Sequence, residues 1–337
     1  MTLIVVWMVD ASAALLREKL GSANSRYRVS SVASLKDFLK TTRDSNAVAF
    51  VDRSAVDALA TSNHQPTVPV VAVCDQRFSA AVSWFEAHGW LSHVVSAQML
   101  QHPLSVELLE NVISTLQRKS EPRLLDWMSN VAGRRVLLTQ ASNRTDRLER
   151  MTEFLGSKGV TPRIVHQIRD VAEELITNAF YDAPVAAGAV KQAIPRTQDV
   201  SLPEDDACDL IYGCSDDLVL VRVKDPFGAL TRSRIVEVLS RCAHADMKVQ
   251  VDETMGGAGL GLWRVFSVAS FVAVSVVSNR HTEFLVGITR HKAPGLFPFA
   301  AHLFFTEATR RRFWQMWDTD SKDISIGQSV AIAILKK

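Results

Sequence analysis

The feature that most constrains the fold is an amphipathic segment at residues 161–183, TPRIVHQIRDVAEELITNAFYDA. Thr161 and Pro162 predict a helix start, because a threonine cap and a proline at the first helical position both suit the unpaired N–H groups there. An apolar face recurs at three- and four-residue steps through Ile164, Ile168, Val171, Leu175 and Ala179. Glu174 and Asn178 lie beside that face, one turn apart. Because polar groups at the edge of a buried face are costly unless partnered, they mark either a site or an ordinary solvated rim.

Two later segments carry a strand-end acid and alternating glycines. Residues 219–230, VLVRVKDPFGAL, predict a strand by their alternation, and it ends at Asp225 before a Pro-Phe-Gly turn. Residues 256–262, GGAGLGL, precede an apolar segment, and their alternating glycines are Gly257, Gly259 and Gly261. Glycine lets backbone approach a ligand closely, and N–H groups at a helix start favour phosphate oxygens. A Rossmann site is excluded, because the spacing is not G-x-G-x-x-G and no good buried strand precedes it.

Taken in order, these motifs resemble the GHKL ATPase superfamily, which includes gyrase, MutL, sensor histidine kinases and the anti-sigma-factor serine kinases. ELITNA resembles the N-box of that family, DPFG a variant of its first glycine box, GGAGLGL its second, and HTEFLVGI at 281–288 its closing strand. The resemblance covers about residues 125–290. It implies an α/β sandwich of the Bergerat type that binds ATP or ADP together with Mg²⁺.

The resemblance also implies a role for each matching residue. Asn178 would hold Mg²⁺ through its side-chain oxygen, and Glu174 would orient or deprotonate the attacking water or hydroxyl. Asp225 would accept a hydrogen bond from the adenine amino group. The other implied nucleotide-binding positions are Gly228, Gly257, Gly259, Gly261 and Thr282. Phe227 departs from the usual D-x-G-x-G pattern, which predicts a reshaped adenine pocket or weaker nucleotide binding.

Residues 1–118 alternate strands and helices in the manner of a doubly wound parallel sheet. The predicted strands are 3–10, 47–52, 68–75 and 92–97, and the predicted helices are 12–20, 79–89 and 103–119. The pattern resembles the response-regulator receiver domain, with Asp52 at the phosphoacceptor position and Asp10 at that of the magnesium acids. The second acid and the lysine that neutralises acyl-phosphate charge are missing. A pseudo-receiver used for dimerisation or docking is therefore favoured over phosphorylation at Asp52.

The sequence divides into four predicted parts: a receiver-like domain at 1–118, a linker at 119–130, a GHKL ATP-binding domain at 131–292, and a C-terminal extension at 293–337 packed on the ATPase domain. Within the third part, a strand at 134–140 and a helix at 142–159 precede the 161–183 helix, as in the serine-kinase, anti-sigma branch. Residues 184–213 predict an insertion or loop. In the extension, the sequence predicts an amphipathic helix at residues 307–317 and a strand at residues 325–334.

Composition restricts the classes of partner. The chain has 337 residues, 47% hydrophobic and 22% charged, which suits a globular protein with two domains. A net charge of +2 gives no basis for attraction to nucleic acid or to a membrane surface. The four cysteines lack metal-binding spacing and suit a reducing cytoplasm. No apolar run approaches the roughly 18 residues of a membrane span.

Three functional classes are open for this predicted cytoplasmic signalling protein. The first is an ATP- and Mg²⁺-dependent protein kinase of the serine, anti-sigma type, known from bacterial regulators, which acts on a partner protein. The second is a non-catalytic module whose ATP state gates a protein interaction, and the third is a histidine kinase relic. The absence of a dimerisation helix pair argues against the third class. The presence of both Glu174 and Asn178 favours the first. The implied partner is another protein, with a homodimer as an alternative.

Overall fold

The computed structural model describes residues 1–9, 11–22, 26–43, 46–62, 64–118, 120–244, 260–290, 299–308, 313–316 and 330–335. The chain forms two compact units. Unit 1 comprises Met1–Arg123 and Lys292–Leu303, and unit 2 comprises Leu124–His291 and Phe304–Lys337. Helices combine with both parallel and antiparallel strands, so the predicted α/β class is confirmed at that level.

The strands are β1 (Thr2–Trp7), β2 (Tyr27–Ser31), β3 (Ala47–Val51), β4 (Val70–Cys74), β5 (His93–Ser96), β6 (Ala132–Leu138), β7 (Val200–Ser201), β8 (Cys208–Cys214), β9 (Leu218–Asp225), β10 (Phe271–Val277), β11 (His281–Thr289), β12 (Ala300–Thr306), β13 (Phe313–Met316) and β14 (Val330–Leu335). The α-helices are α1 (Ala11–Ser22), α2 (Leu35–Thr42), α3 (Arg53–Thr61), α4 (Phe78–Ala87), α5 (Ala97–Gln101), α6 (Ser105–Gln117), α7 (Arg144–Ser157), α8 (Pro162–Thr177), α9 (Ala183–Ala186), α10 (Arg232–His244) and α11 (Leu260–Val268). A π-helical turn, Asn178–Asp182, joins α8 to α9. Short 3-10 helices form at Leu124–Met128, Ala141–Asn143 and Glu204–Asp206.

Unit 1 contains a parallel sheet with the strand order β2–β1–β3–β4–β5. The central strands β3 and β4 are buried along their whole length, as parallel strands are when helices cover both faces of a sheet. The start of β12 runs antiparallel to β5, with Ala300 opposite Val95. Five elements of unit 1 were not predicted from sequence, namely β2, α2, α3, α5 and β12.

Unit 2 contains an antiparallel sheet with the strand order β10–β11–β9–β8–β6. Helix α8 packs against β9 and β11 on one face of this sheet and is flanked by α7 and α11. The apolar face predicted from sequence is buried, through Ile164, Ile168, Val171, Leu175 and Ala179. Burial of that face directs Glu174 and Asn178 to the rim between helix and sheet.

A ladder of charged side chains crosses four strands of the unit 2 sheet. Arg222 on β9 donates to Asp209 on β8 at 2.9 Å and also bonds Glu283 on β11, and Arg135 on β6 donates to Asp209 at 2.8 Å. Burial raises the pKa of Asp209, but the hydrogen bonds from both arginines outweigh burial and leave that pKa lowered. In the observed register of β9 and β11, Asp225 stands opposite Thr282.

Two predictions of secondary structure are wrong. Within the predicted loop at 184–213, Cys208–Cys214 forms the buried strand β8, whose alternation is obscured because Asp209 is a buried member of the charge ladder. Within the predicted helix at 307–317, Phe313–Met316 forms β13 and pairs antiparallel with β14. Both strands depend on a pairing partner elsewhere in the chain, and tertiary pairing overrides local propensity.

Part of the predicted linker is helical. Within the predicted linker, Leu124–Met128 forms a 3-10 helix in unit 2, and the Trp127 ring lies 6.5 Å from that of Phe271 and 6.2 Å from that of Phe304. The predicted C-terminal extension contributes residues to both units. None of the helices in the described part of the chain has the length and apolar character that crossing a bilayer requires.

Candidate functional site

Unit 2 encloses a cavity of about 910 Å³ between α8, the π-helical turn, α10 and the strands β9 and β11. Its polar and charged lining residues are Glu174, Asn178, Tyr181, Asp182, Arg196, Asp225, Arg234 and Thr282. The rest of the described lining is apolar or small, as in most ligand pockets. Five positions predicted from sequence line the cavity together, namely Glu174, Asn178, Asp225, Gly261 and Thr282.

The Glu174 carboxylate lies against the first turn of α11. A Cβ atom at position 261 would lie 1.8 Å from Glu174 Oε1, so the absence of a side chain at Gly261 makes room for the carboxylate. The first turn of a helix has unpaired N–H groups and favours negative charge. The helix start and the glycine therefore fix where the carboxylate of Glu174 can lie.

Asn178 lies between two carboxylates. With its amide assigned from these neighbours, the nitrogen donates to Glu174 Oε1 at 3.3 Å and to Asp182 Oδ2 at 2.8 Å. In the opposite orientation, the amide oxygen would face only acceptors. The pKa of Asp182 is raised to about 6, because burial raises it more than Arg196 and Arg234 lower it, and the nearby Glu174 also acts to raise it. These three side chains gather oxygen atoms at one edge of the cavity.

Asp225 ends β9 and lines the cavity opposite Thr282. Its Oδ1 accepts hydrogen bonds from the backbone N–H groups of Phe227 at 2.8 Å and of Gly228 at 3.4 Å. The hydroxyl and N–H of Thr282 also hydrogen-bond to it. Burial raises the pKa of Asp225 to about 6, although these hydrogen bonds favour the carboxylate. The carboxylate is therefore held in one orientation at the sheet side of the cavity.

The turn after Asp225 has a structural role. Phe227 is fully buried and is not one of the residues that line the cavity, so its ring packs in the core. Gly228 has a φ of +62°, and a Cβ atom there would lie 2.2 Å from the carbonyl oxygen of Val277. Glycine is required at this position by the backbone, and Gly228 also lies outside the cavity lining.

The sequence also predicted roles for Gly257, Gly259, Asp10 and Asp52. Gly257 and Gly259 are outside the described residues, as is Asp10. Asp52 is in unit 1, where it caps α3. Its Oδ1 accepts hydrogen bonds from Ala55 N at 2.9 Å and Ser54 Oγ at 2.8 Å, and its Oδ2 accepts one from Val9 N at 2.8 Å.

Three charged cavity residues were missed by the sequence analysis: Asp182, Arg196 and Arg234. Asp182 had a signal, because it follows Asn178 at the same four-residue spacing that separates Asn178 from Glu174. The structure replaces this last turn by a π-helical turn, a feature frequent at functional sites. No sequence pattern marked Arg196 as a cavity residue, because its position depends on the fold of a segment without periodicity.

The oxygen atoms that line the cavity could bind Mg²⁺ only together with oxygens from a bound ligand, such as phosphates. No group of three or more His, Cys, Asp or Glu side chains that could hold a metal occurs among the described residues. The amide oxygen of Asn178 is an oxygen ligand of the kind that Mg²⁺ prefers, and it faces away from Glu174 and Asp182 because the amide nitrogen donates to both of them. Since Mg²⁺ commonly binds through one or two protein oxygens plus substrate phosphates and waters, this oxygen fits it.

Comparison with known proteins finds no family model and no curated protein that matches the chain.

Proposed function

We propose that the protein is an ATP-binding signal-transduction protein of the GHKL type with a receiver-like N-terminal domain, and that the cavity of unit 2 is its nucleotide site. One observation carries the proposal. Glu174, Asn178 and Asp225, taken from distant parts of the sequence, line a single cavity with Thr282 and Gly261. The cavity of about 910 Å³ lies within the usual range for small-molecule sites.

The sheet side of the cavity suits an adenine ring. Asp225 is oriented by the turn after it and by Thr282, so it can accept a hydrogen bond from an exocyclic amino group. Apolar side chains beside it, including Val223 and Phe284, provide surfaces for a planar base. A guanine would place a carbonyl oxygen against the carboxylate, so the site should select ATP over GTP.

The helix side of the cavity suits the phosphates. Asn178 would hold Mg²⁺ through its amide oxygen, and the ion would neutralise phosphate charge when bound. The adenine and phosphate ends of the proposed ligand therefore meet different elements of the same cavity.

The proposed reaction transfers the γ-phosphoryl group to a hydroxyl of a partner protein, as in serine kinases. The hydroxyl oxygen forms a bond to the γ-phosphorus, the bond from that phosphorus to the bridging oxygen of ADP breaks, and the hydroxyl proton moves to the Glu174 carboxylate. The position of Glu174 against Gly261 supports this role, because a base must be held beside the group it deprotonates.

Unit 1 supports the receiver-like part of the proposal. Its parallel strand order β2–β1–β3–β4–β5 is the flavodoxin-like doubly wound order. Both oxygens of Asp52 accept hydrogen bonds at the start of α3, which favours a structural role over phosphate acceptance. We therefore propose a pseudo-receiver.

The decisive experiment compares Glu174→Ala with Asn178→Ala by calorimetric titration of ATP and by turnover, with Mg²⁺ present and with it chelated. Glu174→Ala should keep ATP binding and lose about 10²–10⁴-fold in rate, the effect of removing a general base. Asn178→Ala should weaken ATP binding in Mg²⁺, and chelation should then cause little further loss. Glu173→Ala is the matched control, since its partner is Arg169 on the same helix at 3.1 Å.

Two outcomes would contradict the proposal in different ways. If the wild-type chain binds no ATP at millimolar concentration, the nucleotide site is wrong. If it binds ATP but neither hydrolyses it nor phosphorylates a co-purified partner, while Asn178→Ala abolishes binding of that partner, the protein is an ATP-gated interaction module instead of a kinase.

A further inference from the structure

The segment between α9 and β7 forms a fixed wall of the cavity, although its sequence lacks periodicity. Ala189 N donates to the Pro184 carbonyl oxygen at 2.9 Å, and Ser142 N donates to Asp199 Oδ1 at 2.8 Å. The buried residues of this segment are Ala189, Val190, Ile194 and Gln198. Buried side chains, a backbone hydrogen bond at its start and a hydrogen bond to the Asp199 side chain near its end hold the segment in place.

The π-helical turn makes two of the contacts that position this wall. Tyr181 Oη donates to the carbonyl oxygen of Gln198 at 2.8 Å in a buried contact. The next residue, Asp182, accepts a hydrogen bond from Arg196 Nη2 at 3.4 Å. Consecutive residues of the turn therefore hold the backbone of the wall and its arginine side chain.

The contact between Arg196 and Asp182 is an ion pair between two residues that both line the cavity. Among the described lining residues, the carboxylates are Glu174, Asp182 and Asp225, and the cationic side chains are Arg196 and Arg234. Arg234 donates to Glu237 on its own helix at 2.9 Å. Arg196 pairs with a carboxylate that itself lines the cavity and contacts Asn178. A cation therefore stands beside the proposed phosphate end of the site.

The ion pair between Arg196 and Asp182 is weak enough for Arg196 to leave Asp182 and bind a phosphate instead. Both side chains are 42% exposed and their contact is long, at 3.4 Å, and such pairs contribute little to stability. A guanidinium offers a planar fork of donors that matches phosphate oxygens, and phosphate carries more charge than one carboxylate. After such an exchange, Asp182 would keep its contact with Asn178 at 2.8 Å.

We propose that Arg196 determines the specificity of this cavity for a polyphosphate chain, exchanging Asp182 for a nucleotide phosphate when the ligand binds. This inference rests on the proposed function, because it assumes that a nucleotide occupies the cavity. Arg196 contributes to binding of the phosphates and not to recognition of the base. The π-helical turn presents it by holding the wall through Tyr181 and the guanidinium through Asp182.

The test measures binding of ATP and of adenosine to the full-length chain by titration calorimetry in Mg²⁺. Arg196→Gln should lower the affinity for ATP about 10- to 100-fold, the range for a hydrogen bond to a charged group. The affinity for adenosine should stay within about twofold, because adenosine has no phosphate. Arg150→Gln is the matched control, since that arginine pairs with Asp146 on the exposed face of α7 at 3.1 Å.

Arg196→Met serves as a second variant, because methionine keeps an unbranched stem of similar packing and removes every donor. Thermal melting of each variant checks that it folds. Equal ATP affinity in wild type and both variants would overturn the inference and leave the proposed nucleotide site standing, as would an equal loss for ATP and adenosine. A wild-type chain that binds neither ligand would remove the proposed function, and this inference with it.

Discussion

At the scale of single residues, Asp225 combines burial with strong hydrogen bonding. Its carboxylate accepts bonds from the N–H groups of Phe227 and Gly228 and from Thr282, and burial still raises its pKa to about 6. The Asp225 carboxyl group therefore loses its proton as the pH rises through about 6. An adenine amino group would donate to the carboxylate, so the nucleotide should bind the ionised form.

We expect the affinity for ATP to depend on pH through Asp225. Below about pH 6 the carboxyl group is protonated in the unliganded protein, and the proton must leave before the amino group can donate. The dissociation constant should therefore rise about tenfold between pH 7 and pH 5 and stay level above pH 7. Titration calorimetry at several pH values measures it.

The control for this dependence is Asp225→Asn, which removes the titrating group. It should bind ATP about 1–3 kcal/mol more weakly at pH 7, the usual cost of losing a hydrogen bond to a charged group. Its affinity should change less between pH 5 and 7 than that of wild type, because among the described lining residues only Asp182, whose pKa is also raised to about 6, still titrates over this range. An unchanged pH dependence in this variant would show that another group titrates.

At the scale of elements, the contact between α8 and α11 places the proposed base. Glu174 comes from the last full turn of α8, and Gly261 is the second residue of α11. The carboxylate occupies the volume that any larger residue at 261 would need. Arg264 of α11 also bonds Asp170 of α8, which ties the two helices together one turn further along.

Gly261→Ala should therefore displace the Glu174 carboxylate. The atoms that a Cβ would meet are the far end of a flexible side chain, so the side chain should move and the backbone should stay. We expect ATP binding to be kept and turnover to fall about 10²-fold, as for a small misplacement of a catalytic group. Steady-state kinetics and titration calorimetry separate these effects.

Gly156→Ala on α7 is the control, because a Cβ there would meet no atom within 4 Å. Its turnover should equal that of wild type. Equal turnover in Gly261→Ala would mean that the position of Glu174 does not matter for the reaction, and the role of this residue as a base would have to be withdrawn.

At the scale of the whole molecule, the chain forms two compact units, of which unit 1 is the proposed pseudo-receiver and unit 2 holds the candidate nucleotide site. The proposed input of a receiver is phosphorylation of the strand-end acid, and here that acid is Asp52. Three hydrogen bonds engage its two oxygens at the start of α3. Any signal that passes through unit 1 should therefore be something other than acyl phosphate.

We expect the chain to take up no phosphate from a small phosphodonor in Mg²⁺. Phosphorylation of Asp52 would break the cap of α3 as well as require a cation that neutralises the acyl phosphate. Intact-mass measurement after incubation is the test, and ATP titration before and after it reports any coupling to unit 2. A stoichiometric phosphate at Asp52 would restore the receiver as a working switch.

The helical part of the candidate site was predictable from the sequence because its signals are local. The apolar face of α8 follows from residues three and four apart, and the same spacing placed Glu174 and Asn178 on the rim of the helix. The strand that ends at Asp225 follows from alternation over a few residues. Such patterns are set by the geometry of one element, which neighbouring residues in the chain determine.

Only the tertiary structure decided the contacts between segments that are distant in the sequence. The strand β8 exists because it pairs with β6 and β9, and its buried Asp209 is tolerated because two arginines from other strands bond it. Arg196 reaches the cavity only because Tyr181 and Asp182 hold its segment there. The stabilising partners lie far away along the chain, and no local pattern of residues encodes which partners the fold will bring together.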